Sequence, residues 1–182
     1  MSFEHPTPPA RPAARQRIPT NLLIGTALVL TGLLAGLYYG FAVSVMPALH
    51  RSSDRTMVEA MWEINRVIQN PVFFVSFAGA PILSLWALIR ARRGGSSEIL
   101  RWVIAGFVLN ALGLLITIAF NIPLNNTLDK AGDPARVSNL AAARDDFENP
   151  WIAWNIVRTI VTTAAVCCLA RVAFLRARSP QQ

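Results

Sequence analysis

Uncharged stretches alternate with charged ones along the chain. Residues 18–49, 67–89 and 102–128 contain no Asp, Glu, Lys or Arg. A fourth stretch, Asn149 to Ala170, is broken only by Arg158. A helix rises 1.5 Å per residue, so about 20 apolar residues cross a hydrocarbon layer ~30 Å thick. The pattern predicts spans at about 22–46, 71–89, 99–120 and 150–174. Between the first two the period changes. Met57, Met61, Ile64 and Ile68 fall on one side of a helical wheel, and Arg55, Glu59, Glu63, Arg66 and Asn70 fall on the other. That is an amphipathic helix over 51–70, with Ser52 or Ser53 placed to cap it. The predicted fold is all-α: a transmembrane antiparallel four-helix bundle with an amphipathic extracytoplasmic helix between spans one and two.

The remaining segments fill in the plan. Residues 1–20 hold five prolines and three arginines and read as a disordered cytoplasmic tail. The membrane domain is 21–176, and 177–182 form a second cytoplasmic tail. Gly94-Gly95-Ser96-Ser97 reads as a turn, and Asn121–Asn149 as a long outward connector with a short helix near 141–147. Pro71 suits the first turn of span two. Gly25, Gly32, Gly36 and Gly40 lie close to one face of span one and predict close helix approach there.

Composition supports this plan. Of 182 residues, 53% are hydrophobic and 15% charged, and the mean hydropathy is +0.41. Disordered and collagen-like chains are excluded, and two cysteines cannot form a disulfide scaffold. The net charge of +7 suggests nucleic acid until the charges are placed. Arg11, Arg15, Arg17, Arg90, Arg92, Arg93, Arg101, Arg171, Arg176 and Arg178 fall on one side of the predicted membrane, against only Glu4 and Glu98. The other side carries six basic and eight acidic residues. The positive-inside rule puts both termini in the cytoplasm of a plasma (inner) membrane. The expected partner is lipid, not nucleic acid. Arginine in preference to lysine and the lack of organelle signals fit a bacterial origin.

Chemistry concentrates at the outward ends of the spans. Arg158 lies about eight residues into span four, roughly 12 Å below its end. An arginine at that depth should face the bundle interior and a partner. Asn155 is three residues earlier on the same face, and Trp151 and Trp154 flank it. Asn121 and Asn125 sit four apart at the end of span three, Asn65 lies on the apolar edge of the amphipathic helix, and Asn110 lies deeper. Asn65, Asn121, Asn125, Asn155 and Arg158 can gather as donors and acceptors without a titratable base. Two readings remain open: a pocket for a carbonyl, phenolate or enolate oxygen, or a hydrogen-bonded clamp between helices. No cofactor is expected. His5 and His50 lie outside the spans, and neither a Gly-rich phosphate loop nor a CxxC is present. Cys167 and Cys168 read as packing. His50, Asp54, Glu59 and Glu63 match no metal-site spacing, so no metal is assigned.

Four blocks carry a family resemblance. They are Met46-Pro47-Ala48-Leu49; Glu59 to Asn65 with Asn70-Pro71-Val72-Phe73; Asn121-Ile122-Pro123-Leu124-Asn125; and Trp151 to Arg158. In this order on a four-span chain they resemble the integral membrane family that includes the fungal anthrone oxygenases. Trp62 stands where that family more often has glutamine. The resemblance covers about 22–175 and implies a four-helix membrane protein. For the anthrone-oxygenase members it implies oxidation of a polycyclic anthrone to an anthraquinone by O2 without an evident cofactor. On that reading Arg158 and Asn155 stabilise an oxyanion. Asn65, Asn121 and Asn125 orient ring oxygens, and Trp62, Trp151 and Trp154 line the pocket around an apolar aromatic molecule. His50 and Glu59 are the nearest candidates for a base. The alternative is a carrier, sensor, or accessory or structural membrane protein.

Overall fold

The computed structural model describes residues 20–93 and 96–178. Residues 1–19, 94–95 and 179–182, on which the expected tails and turn fall, lie outside the described residues. Of the described residues, 89% are helical. Five helices account for this: α1 (Thr20–His50), α2 (Asp54–Val67), α3 (Pro71–Ala91), α4 (Ser97–Lys130) and α5 (Leu140–Arg178). All except α2 are long and apolar enough to cross a membrane. α1, α3, α4 and α5 form the antiparallel bundle, in which α1 and α4 each pack against both α3 and α5.

Helix ends follow local chemistry. Ser53 caps α2 by accepting from the Thr56 amide at 3.2 Å. Asn70 caps α3 ahead of Pro71, and Ser96 caps α4. Each removes an orphan amide from a helix start.

Two helices run on past the predicted spans. α4 continues beyond residue 120 to Lys130. The short helix near 141–147 is not separate, because α5 runs from Leu140 through Pro150 without a break. The long connector therefore shrinks to residues 131–139. At 39 residues α5 extends about 58 Å and overshoots the hydrocarbon layer.

Prolines explain how α1 and α4 continue. Pro47 and Pro123 cannot donate a backbone hydrogen bond, and their rings crowd the carbonyl four residues earlier. In both helices the turn before the proline widens to a π-helical one, Phe41–Val45 and Thr117–Asn121. Such turns keep the axis running where an α-turn would clash, and they recur at functional sites.

The glycine stripe is also corrected. A Cβ added at Gly25, Gly32, Gly36 or Gly40 would meet nothing within 4 Å. Close approach occurs elsewhere: a Cβ on Gly106 would lie 3.1 Å from Leu169, and one on Gly113 would lie 3.1 Å from Thr162. The α1 glycines face outward because the inward positions are Leu23, Ala27, Thr31, Leu34 and Tyr38.

The core is layered. Leu23, Ile24, Leu88, Val103 and Val172 fill the end near the chain termini. Leu34, Tyr38 and Ala80 lie in the middle. Met46, Met57, Met61, Leu128, Phe147 and Trp151 fill the other end, under α2. α2 thus closes that end by packing its methionine face on α5 and the last turns of α4.

Candidate functional site

The site forms where two helices part. α3 packs along Ser97–Ile116 of α4, whereas residues Thr117–Lys130 pack against α5 and α2 instead. The gap left at the α2-capped end is a cleft of about 190 Å³. Its walls are mostly apolar and aromatic: Leu37, Phe41, Ile64, Ile68, Phe73, Phe77 and Trp151 contribute. Tyr38, Asn65, Gln69, Thr117, Asn125, Asn126 and Arg158 supply the polar atoms. A mouth of about 290 Å³ adjoins it, sharing Asn65, Gln69, Asn125 and Asn126 and adding Arg66 and Asp129.

Arg158 is the centre of the cleft's chemistry. It is 7% exposed. Its Nε donates to Asn155 Oδ1 at 3.0 Å. Its guanidinium carbon lies 4.1 Å from the Tyr38 ring centroid and 5.1 Å from that of Trp151. Such faces favour a cation, the more so away from water. Among the described residues no carboxylate pairs with Arg158, and its two terminal nitrogens make no hydrogen bond. A buried charge without a partner is costly. Here the unused donors belong to a side chain that lines an accessible cleft.

Asn155 holds that arginine in place. It is fully buried, its Nδ2 donates to the Tyr38 carbonyl at 3.1 Å, and its Oδ1 accepts from Arg158. Both ends of the amide are used, so Asn155 faces the arginine rather than the cleft.

The other sequence candidates separate into two groups. Asn65, Asn125 and Trp151 line the cleft with Arg158. Trp151 Nε1 donates to Asn125 Oδ1 at 2.8 Å, which fixes both side chains. Trp62 lies outside the lining and sits beneath the Arg66 guanidinium, 4.4 Å from its carbon. Trp154 stacks on Phe120 with centroids 3.5 Å apart, also outside the cleft. Asn121 is fully buried, and neither of its amide atoms has a partner among the described residues.

The two candidate bases are engaged elsewhere. Glu59 accepts from Arg55 at 2.9 Å and is half exposed. His50 Nδ1 is 2.8 Å from Glu148 Oε1. Glu148 also binds Arg144, whose guanidinium further reaches Asp54 at 2.9 Å, the His50 carbonyl at 2.7 Å and the Ser52 carbonyl at 3.1 Å. This cluster ties the end of α1 and the start of α2 to α5, ahead of the apolar part of α5. Burial works against ionisation of Glu148, but the hydrogen bonds from Arg144 and His50 outweigh it and hold the carboxyl below its ordinary value. Among the described residues no group of three or more His, Cys, Asp or Glu is placed to hold a metal.

Sequence reasoning missed Tyr38, Phe41, Phe73, Phe77, Gln69 and Thr117 as lining residues. A signal was present. Pro47 and Pro123 each sit near the end of an apolar run, and the missed Phe41 and Thr117 open the widened turns before them.

A four-span helical membrane protein with an arginine-centred aromatic cleft is the class that these features define. The sequence model of the anthrone oxygenase family matches residues 66–168, more than half of the chain, and the protein belongs to that family. No curated protein and no solved structure matches it. The matched stretch takes in Asn121, Asn125, Trp151, Asn155 and Arg158, while Tyr38 and Asn65 precede it.

Proposed function

We propose that the protein is an oxygenase that uses O2 to oxidise a phenolic or polycyclic apolar molecule held in the cleft. The single observation that carries this reading is the unpaired Arg158 guanidinium lining an aromatic-walled cavity. An anthrone-type substrate has a methylene between rings and a carbonyl opposite it. Loss of a methylene proton puts negative charge on that carbonyl oxygen. The terminal nitrogens of Arg158 are donors suited to that oxyanion, in a low-dielectric setting where they count most. Their charge lowers the pKa of the bound substrate, so the proton can leave to water at the mouth. The electron-rich carbanion then reduces O2. A C–O bond forms, the resulting peroxide anion takes up a proton to become a hydroperoxide, and loss of water from it leaves a second carbonyl. No other redox group is required by this balance. Cavities near 150 Å³ hold a single benzene ring. A three-ring molecule therefore extends from the 190 Å³ cleft into the mouth, where Asn65 and Asn126 can meet its ring oxygens.

The decisive test is O2 uptake and quinone formation with a model anthrone, using purified protein in detergent beside Arg158→Gln. Turnover that is lost in a folded Arg158→Gln supports the reading, and equal turnover by both overturns it. A second reading is a carrier or sensor for the same molecules. It draws on one observation: the described lining of the cleft contains no carboxylate or imidazole to act as a base. A ligand recovered unchanged after incubation in air favours the carrier. The charge pattern supports a reading in which both ends are cytoplasmic and α2 and the cleft lie on the outward side of a plasma membrane.

A further inference from the structure

Three cavities meet at Phe77. The cleft shares Tyr38 and Phe77 with a crevice of about 10 Å³. That crevice shares Phe77, Pro81 and Leu114 with an open groove of about 300 Å³ between α3 and α4. The groove is lined wholly by apolar side chains, among them Ala78, Leu85 and Ala111. It lies along two helices that are long and apolar enough to span a membrane, and a bilayer spanned by them would present hydrocarbon to its open side.

The crevice has the size and polarity of a gas passage. Its volume admits one water-sized molecule and excludes an aromatic ring. Two of its polar side chains are already committed. The Asn110 amide donates to Thr31 at 3.1 Å and Ser84 at 2.9 Å, and Thr162 Oγ1 donates to the Arg158 carbonyl at 2.7 Å. A water there would find few of the two to four polar partners it needs. Dioxygen needs none, and it dissolves better in hydrocarbon than in water.

We propose that dioxygen reaches the cleft from the lipid, through the α3–α4 groove and the crevice beside Phe77, while the aromatic molecule uses the polar mouth at Asn65 and Asn126. This deepens the oxygenase reading and rests on it. Each reactant then has its own path, and a bound aromatic ring filling the mouth does not block O2.

The test fills the groove from its lipid side with Ala78→Phe and Ala111→Phe, neither of which touches Arg158 or its partners. The expected result is a severalfold rise in KM for O2, with KM for the aromatic molecule and kcat at saturating O2 unchanged. An unchanged KM for O2 in both folded variants overturns the route. A second readout needs no turnover. In protein with labelled leucine methyls under O2 pressure, paramagnetic relaxation should be strong at Leu34 and Leu114, which line the crevice, and weak at the fully buried Leu169. It should fall at Leu34 in the two variants, and a water-soluble paramagnetic chelate should not reproduce it. Equal relaxation at Leu34 and Leu169 overturns the route. Strong relaxation at Leu34 without turnover of any anthrone supports the gas route and overturns the oxygenase reading instead.

Discussion

Two polar sites lie inside the same apolar bundle and differ in what they leave unused. At mid-bundle, Asn110 on α4 donates to Thr31 on α1 and Ser84 on α3, and each hydroxyl donates in turn to the carbonyl four residues before it. Those contacts join three helices and point at no sizeable cavity. At the α2-capped end, Asn155 likewise ties helices together, through the Tyr38 carbonyl, but it also holds Arg158 with its terminal donors unspent beside a 190 Å³ cleft. The first spends its amide donors within the bundle. The second leaves the terminal donors of Arg158 without a partner among the described residues. Residue type alone does not separate them, because both are built on an asparagine within an apolar helix.

The sharpest way to break this comparison is to remove the arginine. Arg158→Ala should lower kcat/KM for a model anthrone by about 10²–10³-fold, the usual loss when an oxyanion donor is removed, while far-UV circular dichroism stays helical. Asn155→Ala should have a smaller effect on rate and should also lower the melting temperature, because it frees both Arg158 and the Tyr38 carbonyl. At the other site the pattern should invert. Asn110→Ala should lower stability by about 1 kcal/mol, in the range of interhelical hydrogen bonds in membranes, and leave KM for the anthrone unchanged. A large KM change in Asn110→Ala would erase the distinction between the sites.

Two smaller effects sharpen it. Gly32→Ala should raise stability by up to ~1 kcal/mol, since helix entropy is gained and no neighbour is met. Gly113→Ala should give no such gain, because Thr162 must shift. The smallest effect concerns pH. Glu148 has a depressed pKa, so its contribution is present above the ordinary carboxylate value of 4.5 and is lost as pH falls through the folded value. Melting of the wild type should therefore drop more steeply below about pH 4.5 than melting of Glu148→Gln.

Much of the architecture was legible because hydropathy reports where helices meet lipid. The four spans, the Ser53 cap and the shared face of Asn155 and Arg158 all follow from spacing. Hydropathy does not report where a helix stops in water. Asn121-Ile122-Pro123 reads as a loop, yet α4 passes through it by widening one turn, and α5 begins ten residues before its apolar part. The glycine stripe misled for a related reason: small residues permit close approach but also occur where nothing approaches. Trp62, Trp154, His50 and Glu59 were grouped with the cleft by their nearness to its blocks. The helical phase instead turns Trp62 to Arg66 and Trp154 to Phe120, and both candidate bases find ionic partners. Tyr38 was passed over because a tyrosine in an apolar run looks like packing. Its role comes from a neighbour 120 positions later.

The cluster around Arg144 has a consequence for time rather than affinity. Asn65 on α2 and Gln69 just past its end form part of the cleft's boundary. That helix is latched at its start by one guanidinium to the helix that bears Arg158, and it leads into α3 through only Ile68, Gln69 and Asn70. Loosening the latch would let the roof swing while the floor stays still. Arg144→Ala should then shorten the residence of a bound aromatic molecule, seen as a faster dissociation rate, without altering what the floor recognises.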